Sequence, residues 1–369
     1  MSDIQTEIAV IGAGPAGLSA SIEARSYGAD VILIDENQKP GGQLFKQIHK
    51  FFGSQEHYAG IRGYDIGLKL LDECQRLNVK IMLETVVWGI FDGNRIGISS
   101  KDYNTTIKAK RIILATGASE NPLAFPGWTL PGVMGAGAVQ TMMNIHRVLP
   151  GTNAIMVGSG NVGLIVAYQL LQAGAKVNAI VEFLPKIGGY LVHASKLLRN
   201  GVPILTSHTI LEAKGEESVE KAIIVEVDGK GNPIIESQKI FDVDLICIAV
   251  GMSPDSSLCR MAGCKMTYIK ELGGYVPIHN ENMETTIKGI YVAGDLSGIE
   301  EASTAIEEGN LAGLSSAESL GYISKSEFKE KAESIKQRLS SLRSGPFGKL
   351  RDKAKKEIFH SWLEIEREK

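Results

Sequence analysis

The sequence predicts an α/β protein with two Rossmann-like dinucleotide-binding domains, each of three layers, the second inserted in the first, followed by a C-terminal helical tail. The first observation is a strand, a GxGxxG turn, a helix and a second strand ending on an acid, all within residues 8–35. The same order recurs within residues 153–182. The chain then returns to the first domain through residues 274–278 and 289–295.

The composition is that of a globular protein with room for two domains. The chain has 369 residues, of which 44% are hydrophobic and 22% are charged. Its net charge of −3 gives no field that would select nucleic acid. Because no apolar run reaches the length of a membrane helix and residues 1–7 lack signal-peptide features, we expect a cytoplasmic protein without a membrane span.

The first turn, Gly12-x-Gly14-x-x-Gly17, has the spacing of a pyrophosphate site. Its glycines permit a tight turn, a bare backbone beside a phosphate and close packing of helix on strand. The N–H groups and partial positive charge at the helix N-terminus favour an anion there. Asp35 ends the second strand, where a carboxylate can accept both ribose hydroxyls. The alternative is a glycine-rich turn without a ligand.

The remaining elements of the first domain follow in order. Residues 44–65 mix aromatic, histidine and basic side chains without a period, which predicts a long structured loop. Residues 66–77 predict an amphipathic helix, and the predicted strands are residues 79–83, 85–90 and 110–117. After the return of the chain, residues 299–314 predict a helix.

The second domain repeats the first and adds a hairpin. Its predicted strands are residues 153–157, 176–181 and 244–251, and its predicted helix is residues 164–173. A hairpin is predicted from residue 219 to 227, with its turn at residues 228–232. Prolines and glycines in residues 121–137 predict a domain boundary. The predicted parts are therefore 1–120 and 256–323 for the first domain, 121–150 for a linker, 151–255 for the second domain and 324–369 for the tail.

The four cysteines argue against dithiol and metal chemistry. Cys74, Cys247, Cys259 and Cys264 form no CxxC pair, and two thiols alone cannot complete a metal cluster. Cys247 lies within an apolar strand, where a small buried side chain is expected. The sequence therefore predicts no metal site.

The order GAGPAG, ATG, GSGNVG and YVAGD resembles the flavoprotein superfamily with two dinucleotide domains that includes thioredoxin reductase. The resemblance covers nearly the whole chain and implies FAD in the first domain and a nicotinamide nucleotide, NAD(H), in the second. By motif, it implies FAD contacts at Gly12, Gly14, Pro15, Ala16, Gly17, Asp35, Glu36, Gly42, Gln43, Val87, Ala115, Thr116, Gly117, Gly294, Asp295, Glu301 and Ala302. The corresponding NAD contacts are Gly158, Gly160, Asn161, Val162, Glu182 and Gly251. Many members of the superfamily have Glu at the position of Asp35.

Three longer stretches carry a narrower resemblance. GGQLFKQIHKFFGSQEHYAGIRG, FPGWTLPGVMGAGAVQ and GIEEASTAIEEGN resemble the α-type subunits of sarcosine oxidase, opine oxidase, hydrogen cyanide synthase and dye-linked proline dehydrogenase. This resemblance implies an FAD-dependent dehydrogenase subunit that passes electrons between FAD and NAD(H) or a partner redox centre. It also implies a second flavoprotein subunit and a small iron–sulfur subunit as partners, and an amine or amino acid as substrate. With no cysteine after Cys264, any cluster is expected on a partner.

Two other functions stay open from the sequence. The chain could be a stand-alone NADH-dependent flavin reductase of a small acceptor, or a nucleotide-binding structural subunit whose FAD never turns over. His49, close to Gly42 and Gln43, is a candidate hydrogen-bond donor to flavin or substrate, or else a structural histidine.

The tail also has two interpretations. Residues 324–369 contain thirteen Lys and Arg against eight Asp and Glu, a net charge of +5. Apolar side chains are spaced about one helical turn apart among these charges, at Phe359, Trp362, Leu363 and Ile365. They could form a docking surface for a partner or pack back on the core of this chain.

Overall fold

The computed structural model describes residues 4–345 and 348–368. The outermost residues of the predicted first domain and tail, 1–3 and 369, and residues 346–347 of the tail lie outside the described residues. The strands are β1 (Ile4–Ile11), β2 (Val31–Ile34), β3 (Lys80–Met82), β4 (Thr85–Phe91), β5 (Arg95–Ser100), β6 (Asn104–Leu114), β7 (Ala118–Glu120), β8 (Val133–Gly135), β9 (Asn153–Val157), β10 (Lys176–Glu182), β11 (Ile204–Thr206), β12 (His208–Lys214), β13 (Lys221–Val227), β14 (Pro233–Asp242), β15 (Leu245–Ile248), β16 (Met252–Pro254), β17 (Met266–Ile269), β18 (Gly274–Pro277) and β19 (Ile290–Val292).

The helices lie between and after these strands. They are α1 (Pro15–Ser26), α2 (Gly63–Arg76), α3 (Ala136–Asn144), α4 (Asn161–Gln172), α5 (Leu191–Arg199), α6 (Ser257–Met261), α7 (Ala302–Ser319), α8 (Lys325–Leu342) and α9 (Lys349–Arg367), with short 3-10 helices at Gly42–Lys46, Gln55–His57, Lys270–Leu272 and Gly294–Ser297. No helix of the described residues is both long and apolar enough to cross a membrane.

The chain divides into two compact units. The first contains the residues up to Ser119 and those from Ser253 onward, and the second contains Glu120–Met252. The second unit is thus one continuous stretch inserted in the sequence of the first. The domain boundaries predicted from the sequence remain a proposal.

The first unit is built on a parallel sheet of Rossmann type. The strand order is β3-β2-β1-β6, and β6 changes partner along its length. Its first half pairs antiparallel with β5, which continues to β4, and its last residues pair parallel with β19. The strand of the returning segment therefore completes the sheet beside β6, on the side of β6 opposite β1.

Alternating side chains cover the two faces of this sheet. Ile8, Val10 and Leu33 face one buried cluster together with residues of α1, α2, α7 and α8. Ile11 and Ile32 face a second cluster with the β4–β5–β6 meander and α6. The result is three layers, with helices on one side of the sheet and the meander on the other.

Helices α1 and α7 pack unusually closely. A Cβ on Gly309 would overlap the carbonyl oxygen of Ala16, and a Cβ on Gly313 would overlap that of Ala20. Both glycines lie one turn apart on the same face of α7, so the two backbones can approach. This contact brings the middle of α7 beside the first half of α1.

The second unit repeats this plan with a five-stranded parallel sheet, in the order β11-β10-β9-β15-β8. The antiparallel sheet β12-β13-β14 contributes Ile210 and Ile224 to the cluster on one face of it. Helices α3, α4 and α5 supply residues to the cluster on the other face. The fold class predicted from the sequence is therefore present in both units.

Residues 133–144 differ from the linker assignment of 121–150. They form β8 and α3, and Val133–Gly135 pairs in parallel with Ile246–Ile248 in the second sheet. Phe125 is also buried in this unit. The proline- and glycine-rich stretch thus contributes to the core of the second unit.

The tail packs on the first unit through both of its helices. Ala332, Ile335 and Leu339 of α8 join the cluster that contains α1 and α7. On α9, Ala354 and Ile358 pack with Ile269, Leu272 and Val276. The ring of Phe359 meets that of His279 edge-on at 5.6 Å, whereas Leu363 stays 47% exposed. Of the four apolar residues behind the two interpretations of the tail, Phe359 packs on this chain and Leu363 does not, so a docking surface for a partner stays a prediction.

Candidate functional site

The turn after β1 has the shape that a pyrophosphate requires. A Cβ on Gly12 would overlap the carbonyl oxygen of Ala115, and a Cβ on Gly17 would overlap that of Gly12, so the fold itself requires both glycines. Gly14 differs, because no described atom lies within 4 Å of a Cβ placed there and its φ of −74° suits any residue. Helix α1 begins next, with Pro15 as its first residue. The bare backbone at Gly14 therefore faces open space at a helix N-terminus, where a phosphate would bind.

Asp35 is buried and tied to this turn. Its Oδ2 accepts a hydrogen bond from the N–H of Ala13 at 2.6 Å, and its Oδ1 accepts one from the N–H of Asn37 at 2.8 Å. Asn37 Nδ2 also donates to Oδ1, at 2.9 Å. Because a carboxylate has about four acceptor positions, one position remains for a ribose hydroxyl. The neighbouring Glu36 is exposed.

The predicted flavin-edge loop lies against the same turn. Gly41 donates a backbone hydrogen bond to the carbonyl of Ala13 at 2.6 Å, and a Cβ on Gly42 would stand 2.9 Å from the Cα of Gly14. Gly42 and Gln43 open the short helix Gly42–Lys46. The structure therefore brings these two residues and Gly14 together, as the motif implies.

The end of β6 continues this arrangement. Ala115 donates from its N–H to the carbonyl of Ile11 at 2.8 Å, which places it beside the turn. Thr116 donates from Oγ1 to the carbonyl of Asp255 at 2.8 Å, and Gly117 accepts from the N–H of Asp255. Val87 lies on β4, opposite Ile98, and is half-buried.

The returning segment brings Gly294 and Asp295 to the same place. A Cβ on Gly294 would stand 2.9 Å from the Cβ of Ala16, at the start of α1. Asp295 is half-buried and accepts a hydrogen bond from the N–H of Glu300 at 3.3 Å. Glu301 is the N-cap residue of α7, and Ala302 is its first residue. The N-terminus of α7 therefore points toward this part of the unit with its partial positive charge.

Charged residues that no sequence motif indicated lie behind this segment. Glu308, on α7, accepts hydrogen bonds at Oε2 from the N–H of Gly294 at 3.0 Å and from Ser297 Oγ at 2.6 Å. Its other oxygen accepts from Lys355 and Arg343 of the tail. Although burial raises the pKa of Glu308, these two cations outweigh that effect and lower it to about 2.

A second missed cluster fixes the aromatic loop. His57 is buried, with Nδ1 2.8 Å from Ser54 Oγ and Nε2 3.2 Å from Glu307 Oε1. Arg338 of α8 donates two hydrogen bonds to Glu307, both of 2.8 Å. The ring of His49 stacks near that of Phe51, with centroids 6.1 Å apart. Its contact with flavin or substrate stays a prediction.

The second unit carries a turn of the same construction. A Cβ on Gly158 would overlap the carbonyl oxygen of Ala249, and one on Gly163 would overlap that of Gly158, whereas Gly160 faces open space among the described residues. Helix α4 starts at Asn161, next to the half-exposed Val162. Gly251 has a φ of +116°.

Glu182 takes the place that Asp35 has in the first unit. Its Oε2 accepts from the N–H and the hydroxyl of Ser159 at 2.9 and 2.6 Å, and its Oε1 accepts from the N–H of Leu184. A Gly-Gly loop again follows, with Gly189 donating to the carbonyl of Ser159 at 2.8 Å. Both units therefore hold an open glycine, a helix N-terminus and a buried acid in the same order.

Comparison with known proteins identifies the family. The sequence profile of the pyridine nucleotide-disulphide oxidoreductases matches residues 6–309, which include both glycine-rich turns. The chain belongs to the pyridine nucleotide-disulphide oxidoreductase family. Members of this family are oxidoreductases that bind FAD and pyridine nucleotides, and the open glycines and buried acids of both turns fit these groups.

Relatives and solved structures agree with this assignment. An opine oxidase subunit of Agrobacterium tumefaciens (strain Ach5) is 30% identical over 346 residues, covering 86% of this chain and 66% of the relative. Thioredoxin reductase of T. acidophilum superposes with a TM-score of 0.71 at 21% identity, covering 86% of this chain and 99% of the other. L-proline dehydrogenase from P. horikoshii superposes with a TM-score of 0.68 at 25% identity, covering 90% of this chain and 59% of the other. This chain therefore spans somewhat less than two thirds of the length of the opine oxidase subunit.

This pyridine nucleotide-disulphide oxidoreductase has buried cysteines. All four are free and buried, and burial raises the pKa of Cys74 to about 12 and also raises that of Cys247. The described residues contain no cluster of three or more His, Cys, Asp or Glu side chains that could hold a metal ion.

Because these thiols are buried, we expect them to react slowly. Native protein treated with 5,5′-dithiobis(2-nitrobenzoate) at pH 8 should release little thionitrobenzoate within minutes, and urea should expose all four thiols. Rapid reaction of two thiols in the native protein would contradict this expectation and reopen a dithiol mechanism.

The second site should prefer NADH to NADPH. Glu182 places a carboxylate at the end of β10, where it would repel a 2′-phosphate, and no arginine follows within residues 183–185. We expect NADH to bind roughly tenfold more tightly than NADPH in an isothermal titration. The Glu182→Gln variant should lose most of this preference. Tighter binding of NADPH by the unmodified chain would show the prediction to be wrong.

Asp295 should make the stability of the FAD-free protein depend on pH. Burial raises its pKa from 3.8 to about 6. The folded state then binds more protons than the unfolded state between about pH 4 and pH 6, so the contribution of Asp295 to the free energy of unfolding falls as the pH rises. The total change is roughly 3 kcal/mol, at about 1.4 kcal/mol per pKa unit.

Urea unfolding of the FAD-free protein and of Asp295→Asn at pH 4.5 and pH 7 measures this effect. The variant should gain stability relative to the unmodified protein at the higher pH. Glu308, whose pKa is lowered, acts in the opposite direction, but only below about pH 4.5. If the variant and the unmodified protein differed in stability by the same amount at both pH values, the raised pKa of Asp295 would be contradicted.

Proposed function

We propose that the chain is the FAD- and nucleotide-binding subunit of a multi-subunit amine or amino-acid dehydrogenase. In this proposal electrons pass between FAD and NAD(H) or a partner redox centre. The observation that carries it is a complete cofactor turn in each unit, without a cysteine pair either in the loop that follows Gly42 or in the second unit, where Cys247 is the one cysteine. A disulphide reductase of this family would need a pair at one of these two places to receive electrons.

The relatives support the subunit role. The opine oxidase match is to a protein named as a subunit, and the solved proline dehydrogenase is named for an amino-acid substrate. An amine or amino acid is therefore the substrate class that we propose. The proposed partners are a second flavoprotein subunit and a small iron–sulfur subunit.

The residues of the first unit would act in distinct ways. The N–H groups around Gly14 and the N-terminus of α1 would bind the pyrophosphate, and Asp35 would accept a ribose hydroxyl. Asp295 would accept a ribityl hydroxyl. Bound FAD would supply the two-electron redox chemistry. The positive end of α7 would stabilise negative charge that develops near residues 301–302 on reduction.

Purification of the tagged chain from its native host tests this proposal. We expect FAD in the purified sample, co-purification of other subunits, and oxidation of an amine or amino acid with a dye acceptor by the complex. The chain produced alone should retain FAD but lack this activity. A lone chain that is fully active on its substrate would contradict the subunit role.

The same samples separate the alternatives. Bleaching of the flavin by NADH, followed by reoxidation with a small acceptor and without partners, would favour a stand-alone reductase. A flavin that no donor reduces, even in the assembled complex, would favour a structural subunit. Reduction of the flavin by the amine in the complex is the result that our proposal predicts.

A further inference from the structure

Lys355 is a buried cation on α9, the last described helix of the chain. Its side chain is 2% exposed. The ammonium donates hydrogen bonds to the carbonyl of Ser297 at 3.0 Å, to Ser297 Oγ at 2.6 Å and to Glu308 Oε1 at 2.7 Å. Since an ammonium has three donors, all of them are satisfied. A charge buried in this way is costly unless it is paired, so this is a specific polar contact and not incidental packing.

The network leads from Lys355 to the segment that we assign to FAD. Glu308, which pairs with Lys355, accepts from the N–H of Gly294, and Ser297 Oγ donates to the same carboxylate. Gly294 and Ser297 are the ends of the 3-10 turn that carries Asp295. Lys355 therefore contacts one end of this turn directly and the other through Glu308.

Arg343 holds the residues that follow the turn. It donates to the carboxylates of Glu300 and Glu308 and is almost fully buried. The N–H of Glu300 in turn donates to Asp295. Two cations from the tail thus restrain both sides of Asp295.

Both cations lie outside the region that matches the family profile, which ends at residue 309. The profile region includes the turn, Asp295 and Glu308, but the counter-charges of Glu308 come from α9 and from the end of α8. The tail therefore contributes polar contacts to the core of the first unit in addition to the apolar contacts of Ile358.

We infer that Lys355 is a positioning residue of the FAD site, which fixes the Gly294–Ser297 turn from α9 and adds positive charge behind it. The inference rests on the proposed FAD site. In this role Lys355 touches neither substrate nor cofactor. It acts through Ser297 and Glu308, so its loss should alter both the affinity for FAD and the redox potential of the bound flavin.

The test compares Lys355→Met with Lys353→Met in the full chain. Lys353 is an exposed lysine on the same helix and serves as the matched control. We expect Lys355→Met to bind FAD at least about tenfold more weakly in a titration of the FAD-free protein. Its midpoint potential, measured against reference dyes, should become more negative because reduction adds negative charge to flavin. Lys353→Met should match the unmodified chain in both measurements.

Two further variants keep the test decisive. Ser297→Ala removes only one hydroxyl, so it should fold even if Lys355→Met does not, and it should weaken FAD binding in the same direction. Ile358→Ala loosens the packing of α9 without touching the network. We expect it to lower thermal stability and to leave the flavin potential unchanged.

The outcomes separate this inference from the proposed function. If the unmodified chain fails to bind FAD, the proposed function fails. If the unmodified chain binds FAD, but Ser297→Ala and every folded Lys355 variant keep its affinity and potential, only this inference fails. A shift of potential in Ile358→Ala as large as in Lys355→Met would also overturn it, since the effect would then come from general loosening of the tail.

Discussion

Replacing Gly14 with valine is expected to abolish FAD binding while leaving the fold intact. Gly14 has a φ that any residue adopts, and a Cβ placed there meets no described atom within 4 Å. The valine side chain would instead occupy the space in front of the α1 N-terminus, where the pyrophosphate would lie. Absorbance of the flavin in the purified variant measures the loss, and circular dichroism measures the fold.

Three matched variants make this prediction specific. Gly160→Val should remove nucleotide binding by the second unit and leave FAD bound, because Gly160 is open in the same way. Gly17→Val and Gly163→Val should damage folding, because their side chains would overlap the backbone. A folded Gly14→Val protein that retains stoichiometric FAD would show that this turn is not the FAD site.

Replacing Glu308 with glutamine is expected to cost about 3–5 kcal/mol of stability, because it removes the nearest carboxylate of the buried Lys355 and leaves the buried Arg343 paired with Glu300 alone. Glu308 is 2% exposed and pairs with Lys355 at 2.7 Å and Arg343 at 2.6 Å. Urea unfolding of the FAD-free protein measures the change. Glu330→Gln, at an exposed position of α8, should stay within about 0.5 kcal/mol of the unmodified chain.

A double variant tests whether the cost comes from an unpaired charge. Lys355→Met combined with Glu308→Leu replaces the ion pair by apolar groups, so it should cost less than the sum of the two single changes. Additive costs would show that the two residues are not coupled. A loss below about 1 kcal/mol in Glu308→Gln would contradict the buried network itself.

The glycine-rich turns could be predicted because their requirements are local. Gly12, Gly14 and Gly17 lie within six residues of one another, and each has a distinct backbone reason to lack a side chain. Asp35 and Glu182 end the next strand of their units, so their place beside the turn follows from the fold. The turns, the acids and the fold class could therefore be predicted from the spacing of residues along the chain.

Contacts between distant segments could not be predicted in this way. The pairing of Val133–Gly135 with Ile246–Ile248 joins strands more than a hundred residues apart, and the prolines and glycines before it suggested a linker instead. On α9, Lys355 follows Ala354, which belongs to the buried face of the helix. A lysine in a helix with many charged residues nevertheless predicts a side chain exposed to solvent. Only its partners Ser297 and Glu308, far back in the sequence, explain its burial.

The central claim is that the first unit binds one FAD at the turn around Gly14. The most direct measurement is the amount and identity of nucleotide released by denaturing the purified chain, by chromatography and mass spectrometry, in parallel with Gly14→Val. We predict one FAD for each chain in the unmodified protein and none in the variant. Absence of flavin from the unmodified protein after reconstitution with FAD, or an equal amount in the folded variant, would contradict the account.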